Sequence, residues 1–134
     1  MSTPTPIVFT PLTKGFSWTP STTGVGADGS AMPLPTGEAY TSATIGIRAD
    51  GDTTHSAGNY ANLVIVPGAA TSESVAALTA ALQSALPAGN YWAAVEQTDT
   101  LNGATATSTW TAEVPFSIPP TIVQPAPPTN PTVA

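Results

Sequence analysis

The chain has 134 residues, of which only 7% are charged, against roughly 25% in an ordinary soluble domain. Eight carboxylates face two cations, Lys14 and Arg48, for a net charge of -6. Two cations cannot neutralise a run of phosphates, which excludes nucleic-acid binding and polybasic docking on anionic lipid. There is no cysteine, hence no disulfide framework, thiolate metal site or cysteine nucleophile. The length fits one domain.

Fifteen prolines and eleven glycines cut the chain into short pieces and exclude long helices over most of it. Residues 1–13 read as an extended N-terminal arm around the apolar trio Ile7, Val8 and Phe9. Phe16-Ser17-Trp18 reads as a short strand stopped by Pro20, and residues 19–37 as a long loop. Residues 39–49 alternate, with Ala43, Ile45 and Ile47 on one face and Thr44, Gly46 and Arg48 on the other. A period of two is the mark of a half-buried strand. Asp50-Gly51-Asp52 ends it in a turn. Residues 60–66 form another β-branched run, stopped by Pro67-Gly68.

Residues 72–86 break the β pattern. Val75, Leu78, Leu82 and Leu86 stand at helical spacing among alanines, with Ser72 as the candidate cap and Pro87 and Gly89 as stops. The alternative is a strand followed by a corner loop. Residues 90–97 alternate again, with Tyr91, Ala93 and Val95 inward and Trp92 and Glu96 outward. Asn102-Gly103 is a turn signal before a last strand over 107–118. Residues 119–134 hold six prolines and no charge, and read as a polyproline-II-like tail.

The predicted core is Trp18, Ile45, Ile47, Leu63, Ile65, Tyr91, Val95, Val114 and Phe116. Short alternating strands, each with one apolar face, specify an all-β protein built as a two-sheet sandwich. Residues 14–118 form it, between the arm 1–13 and the tail 119–134.

Catalytic chemistry has little to work with. His55, the one histidine, lies near Asp50 and Asp52, and reads as part of a polar turn rather than a metal or acid–base site. DGDTTHSAGN lacks the distal Glu of a calcium loop. No G-x-S-x-G or Walker A pattern occurs. The expectation is a non-enzymatic protein with no cofactor and no metal. Trp92 and Tyr60 read as outward-facing, and are either a sugar or protein contact or a cover for residues 72–86. With Ile7, Val8 and Phe9 of the arm and Ile122 and Val123 of the tail, they are the candidate interaction residues.

The opening MSTPTPIVFTPLTKG has no cationic n-region or long apolar h-region, and no apolar run approaches the length of a membrane span. Yet the Thr, Ala, Ser, Gly and Pro richness resembles extracellular surface proteins. A virus particle, assembled in the cytoplasm and released by lysis, meets both conditions. A fragment of a longer secreted protein is the other way to meet them.

The motifs come in a suggestive order. Phe16-Ser17-Trp18-Thr19-Pro20 precedes Ala27-Asp28-Gly29-Ser30 and the strand 42–49. Leu86-Pro87-Ala88-Gly89-Asn90-Tyr91 and Trp110-Thr111-Ala112-Glu113-Val114-Pro115-Phe116 follow. This resembles a fibronectin type III domain of the kind found in tailed-bacteriophage virion proteins. The resemblance implies a seven-stranded fibronectin type III or immunoglobulin-like β-sandwich, here with a short helical segment near 72–86 and extended Pro-rich termini. It implies a tryptophan in the second strand (Trp18) and a corner tyrosine before the sixth (Tyr91). It also implies a structural role on a virion, as a decoration, tail or fibre-associated subunit. The partners would be other capsid or tail proteins and copies of the chain itself. The alternative is a carbohydrate- or receptor-binding adhesion module, extracellular or at the cell surface, using Trp92, Tyr60 and the loop 19–37 on a cell-surface glycan.

Overall fold

A computed structural model describes residues 7–12, 15–82, 86–120 and 124–133, without the side chains of Thr79 and Leu82. The candidate contacts Ile122 and Val123 lie outside the described residues. The chain is all-β, with one short helix. Its strands are β1 (Thr10–Pro11), β2 (Phe16–Ser17), β3 (Thr23–Val25), β4 (Ala31–Pro33), β5 (Ala39–Ala49), β6 (Asn62–Pro67), β7 (Ser72–Glu73), β8 (Gly89–Leu101), β9 (Ala104–Thr107) and β10 (Val114–Ile118). Helix α1 spans Val75–Leu82.

Six strands form one sheet in the order β1-β10-β8-β5-β6, with β9 also paired to β8. The pairs β2–β7 and β3–β4 stand as two-stranded sheets. Among the described residues there are thus ten strands, where the family resemblance implies seven. The extra pieces have local causes. In the predicted loop 19–37, Asp28 Oδ1 accepts hydrogen bonds from Ser30 N at 3.0 Å and Ser30 Oγ at 2.6 Å, and closes a hairpin between β3 and β4. In the arm, Thr10 and Pro11 run parallel to Phe116 and Ser117, and Leu12 N donates to Ser117 O at 2.8 Å. Of the predicted last strand, 107–118, only Thr107, at the end of β9, and Val114–Ile118, which is β10, are strand.

The main sheet is organised by β5 and β8, which pair over ten residue positions from Ala39↔Thr100 to Ala49↔Tyr91. Their alternation follows the sequence. Ala43, Ile45, Ile47, Tyr91 and Ala93 are buried on the core face, while Arg48 and Trp92 point the other way. Asn102 (φ 52°) and Gly103 (φ 83°) make the turn into β9, in the left-handed conformations a two-residue hairpin loop requires. The core joins Ile45, Ile47, Val64, Val66, Leu78, Leu86, Tyr91, Ala93 and Phe116. Leu12, Phe16, Trp18, Val95 and Ile118 pack against it half-buried. The ring of Phe16 on β2 meets Phe116 on β10 edge-on at 5.1 Å.

Three predicted core residues fall elsewhere. Leu63 and Ile65 are 58% and 70% exposed, and their neighbours Val64 and Val66 are buried instead. The run Leu63-Val64-Ile65-Val66 is apolar in both phases, so its own periodicity cannot choose a face. Pairing chooses it, because Ala43↔Val66 and Ile45↔Val64 put the two valines beside buried partners. A one-residue shift in register inverts a whole strand. Val114 shares the face of Phe116, but lies at the sheet margin and is 51% exposed.

The helix is shorter than predicted. Ser72 and Glu73 pair with Ser17 and Phe16 as strand, so Ser72 does not cap. Ser74 does, its Oγ accepting from Ala77 N at 3.1 Å. Leu78 is 1% exposed and fixes the helix to the core.

The corner tyrosine is in place. Tyr91 is buried, stacks on Phe116 at 5.3 Å, and donates its hydroxyl to Pro87 O at 2.5 Å. Burial raises its phenol above the usual range. Pro87 O would be left without this partner in Tyr91→Phe. Urea denaturation is expected to show a loss of about 1 kcal/mol, and an unchanged midpoint would remove this bond from the account.

Candidate interaction surface

The outer face of the main sheet carries the candidate aromatics. Arg48 on β5 lies directly opposite Trp92 on β8, and Gly46 lies opposite Ala94. These small residues leave a flat hollow in the sheet, and Tyr60 fills it. A Cβ on Gly46 would lie 2.3 Å from Tyr60 Cδ2, so the ring needs glycine there. Trp110 closes over Tyr60 edge-on, with ring centroids 4.8 Å apart at 66°. Tyr60 is only 9% exposed in consequence. Its hydroxyl is buried and, among the described residues, has no partner in hydrogen-bond geometry, although Gly58 and Glu113 lie close enough to affect its ionisation. Burial is the larger effect, and raises the phenol.

A planar ion pair borders this cluster. Arg48 Nε donates to Glu113 Oε2 at 2.8 Å and Arg48 Nη2 to Glu113 Oε1 at 2.6 Å. Both side chains are largely covered. The hydrogen bonds to Arg48 hold the Glu113 carboxyl below its usual range, and those to Glu113 raise the Arg48 guanidinium. The guanidinium also lies 5.7 Å from the Trp92 ring centroid, within cation–π range. Trp92 Nε1 donates to Asp50 Oδ1 at 2.7 Å, and Phe9 meets the Trp92 ring edge-on at 5.4 Å. Phe9, Tyr60 and Trp92 are thus gathered on one face and bound to partners within the chain. Ile7 and Val8 continue from Phe9 at 57% and 81% exposure. The expected cover of residues 72–86 by Trp92 is not seen among the described residues. Trp92 is on the outer face, whereas α1 joins the core through Leu78.

The sequence pointed to Tyr60 and Trp92 but missed Arg48, Glu113 and Trp110 as their partners. Arg48 stands at an outward position of a clear alternation and could have been found. Glu113 could not, because residues 108–113 hug β8 without regular pairing. Thr111 N donates to Val95 O at 3.0 Å and Ser108 N to Gln97 O at 2.8 Å, outside any strand ladder.

Two other places on the molecule gather polar or concave surface. His55 Nδ1 lies 2.6 Å from Asp52 Oδ2, and Thr54 N and Oγ1 each donate to Asp52 Oδ1 at 2.8 Å. The Thr54 hydroxyl is the main reason that Asp52 falls to about 2. Among the described residues no three His, Asp or Glu side chains gather as metal ligands. A groove of about 710 Å³ runs beneath the β3–β4 hairpin, lined by Pro20, Met32, Leu34, Glu38 and Tyr40 among others. The hydroxyl of Tyr40 in this groove accepts from Trp18 Nε1 at 3.1 Å and donates to Ala70 O at 2.5 Å, so it is already committed.

The Arg48–Glu113 pair sets a pH dependence. Glu113 is depressed in the folded state, so its stabilisation is complete above the ordinary carboxylate range. It is lost as the pH falls through the depressed folded-state value and the carboxyl protonates. Glu113→Gln is expected to cost about 1.5–3 kcal/mol at neutral pH, with the gap to the parent closing toward pH 3 in urea titrations. A gap that persists undiminished in acid would contradict the ion pair.

No family model matches the chain, and searches of curated proteins and of solved structures return no match.

Proposed function

We propose that the chain is a non-enzymatic structural subunit of a larger repeating assembly, such as a tailed-bacteriophage-like particle, built on a fibronectin type III or immunoglobulin-like sandwich. The architectural part of this reading draws on strand order. β10-β8-β5-β6 has the order of the GFCC′ sheet of an immunoglobulin-like domain, β1 lies where an A-type strand runs parallel to G, and β2–β7 lies where B pairs with E. The Tyr91–Pro87 bond stands at the matching corner.

The observation that carries the functional part is the exposure of uncharged terminal chain. Ile7 and Val8 are open to solvent, and residues 124–133 are exposed throughout, with no strand or helix. Apolar and proline-rich chain held clear of its own domain is suited to lying across neighbours or adding to their sheet edges. The attachment is then adhesion by area: main-chain and apolar contacts made many times on a lattice. The glycan-binding alternative draws less support. Tyr60 is covered, and the Trp92 indole is engaged by Asp50, Arg48 and Phe9.

The test follows the chain by antibody through a density gradient of lysate from the organism that makes it. Co-migration with intact particles at a fixed copy ratio is expected. Removal of residues 119–134 is expected to weaken that attachment and leave the thermal transition unchanged. Protein found only at the top of the gradient would overturn the assembly reading, and full incorporation of the shortened chain would overturn the tail's part in it.

A further inference from the structure

We propose that the open edge of β6 pairs with the β6 edge of a second copy of this chain, joining two main sheets into one continuous sheet. This deepens the assembly reading by naming one contact and its partner. The main sheet has two lateral ends, and they are treated differently. One ends in β1, only two residues long and closed by Pro11, which lacks an N–H. The other ends in β6, six residues long, and among the described residues no strand pairs with its outer side. An unpaired strand edge is a template for further pairing unless charge, proline or a bulge protects it. The stretch from Thr53 to Ser72 has no Asp, Glu, Lys or Arg, and Pro67 stands at the very end of the strand.

The strand suits its own copy. Antiparallel pairing centred on Val64 places Leu63 of each copy opposite Ile65 of the other, on the outer face. These two side chains are among the most exposed large apolar groups of the domain, at 58% and 70%. Two apolar cross-strand pairs would form, each related to the other by the two-fold axis, and no like charges would meet. On the other face Val64 meets Val64. A charged partner would find no counter-charge on this strand. On the outer face Arg48 and Glu113 neutralise each other within the chain, while Glu96 stands two strands in from Ile65, across Thr44. Such a contact is isologous and closes at two copies, so it supplies a dimeric unit rather than an open filament.

Sedimentation equilibrium of the purified full chain tests this without any particle present, so it can fail while the gradient experiment succeeds, or the reverse. The parent is expected to pass from monomer to dimer between about 1 µM and about 1 mM, and Leu63→Lys with Ile65→Lys to raise the dissociation constant at least about 100-fold. Both side chains are exposed, so the circular dichroism melt of the dilute monomer should be retained. Should the lysines disturb folding, Leu63→Thr with Ile65→Thr keeps strand propensity while removing apolar surface, and is expected to weaken the dimer at least about tenfold. A parent that stays monomeric to about 1 mM, or a dimer indifferent to these folded variants, would overturn the proposal.

Discussion

The antiparallel ladder between β5 and β8 is the constraint on which the rest of the molecule depends. It is the longest pairing in the chain and lies at the centre of the main sheet, with β6 on one side and β9 and β10 on the other. Because successive side chains alternate across a strand, fixing this one register decides which residues face the core and which face outward. Ile45 and Ile47 are fully buried by it, and Val95 and Ala93 stand opposite them. The same register sets Gly46 between them on the other face, where the absence of a side chain admits the ring of Tyr60. The dry core and the outer aromatic layer are two consequences of one pairing.

The outer layer shows how a chain with few charges uses them. Arg48 is half of the cationic inventory, and it is spent on Glu113 and on the face of Trp92 rather than left to solvent. Asp50 satisfies the Trp92 indole, and Trp110 covers Tyr60. The aromatic rings of this face are thus held by partners within the chain. The unengaged material lies at the sheet margin and the termini: Leu63 and Ile65 on β6, Ile7 and Val8 in the arm, and the proline-rich segment 124–133. The proposed assembly function and the proposed β6 contact both draw on that distribution.

Where alternation was unambiguous, the sequence was sufficient. The isoleucines of residues 39–49 fall in one phase, and the structure buries Ile45 and Ile47; in residues 90–97 the inward phase is buried at Tyr91 and Ala93 and half-buried at Val95, while Ala94 of the outward phase is also buried. The corner from Leu86 to Tyr91 was legible only through the family resemblance, which implies a corner tyrosine, and the Tyr91 hydroxyl does donate to the backbone there, at Pro87 O. The run 62–66 was not legible, since both phases are apolar and only Ala43 and Ile45 on β5 decide between them. Ser72 is the cap expected from the sequence, but as part of β7 it pairs with Ser17, and Ser74 caps the helix instead. The site was half legible. An outward tryptophan announces itself, whereas Glu113 reaches Arg48 from 65 residues away along an irregular segment that no local pattern encodes.

Native-state hydrogen exchange tests the central role of the β5–β8 ladder most directly. The amides that bridge β5 and β8 are expected to exchange last, through global unfolding alone, and to respond to urea with the full slope of the unfolding transition. Amides of β9 and of the β3–β4 hairpin should open earlier, by local fluctuation. If the slowest amides lay in those hairpins, or if β5 and β8 exchanged independently of each other, the ladder would not be the element that holds the two faces in register.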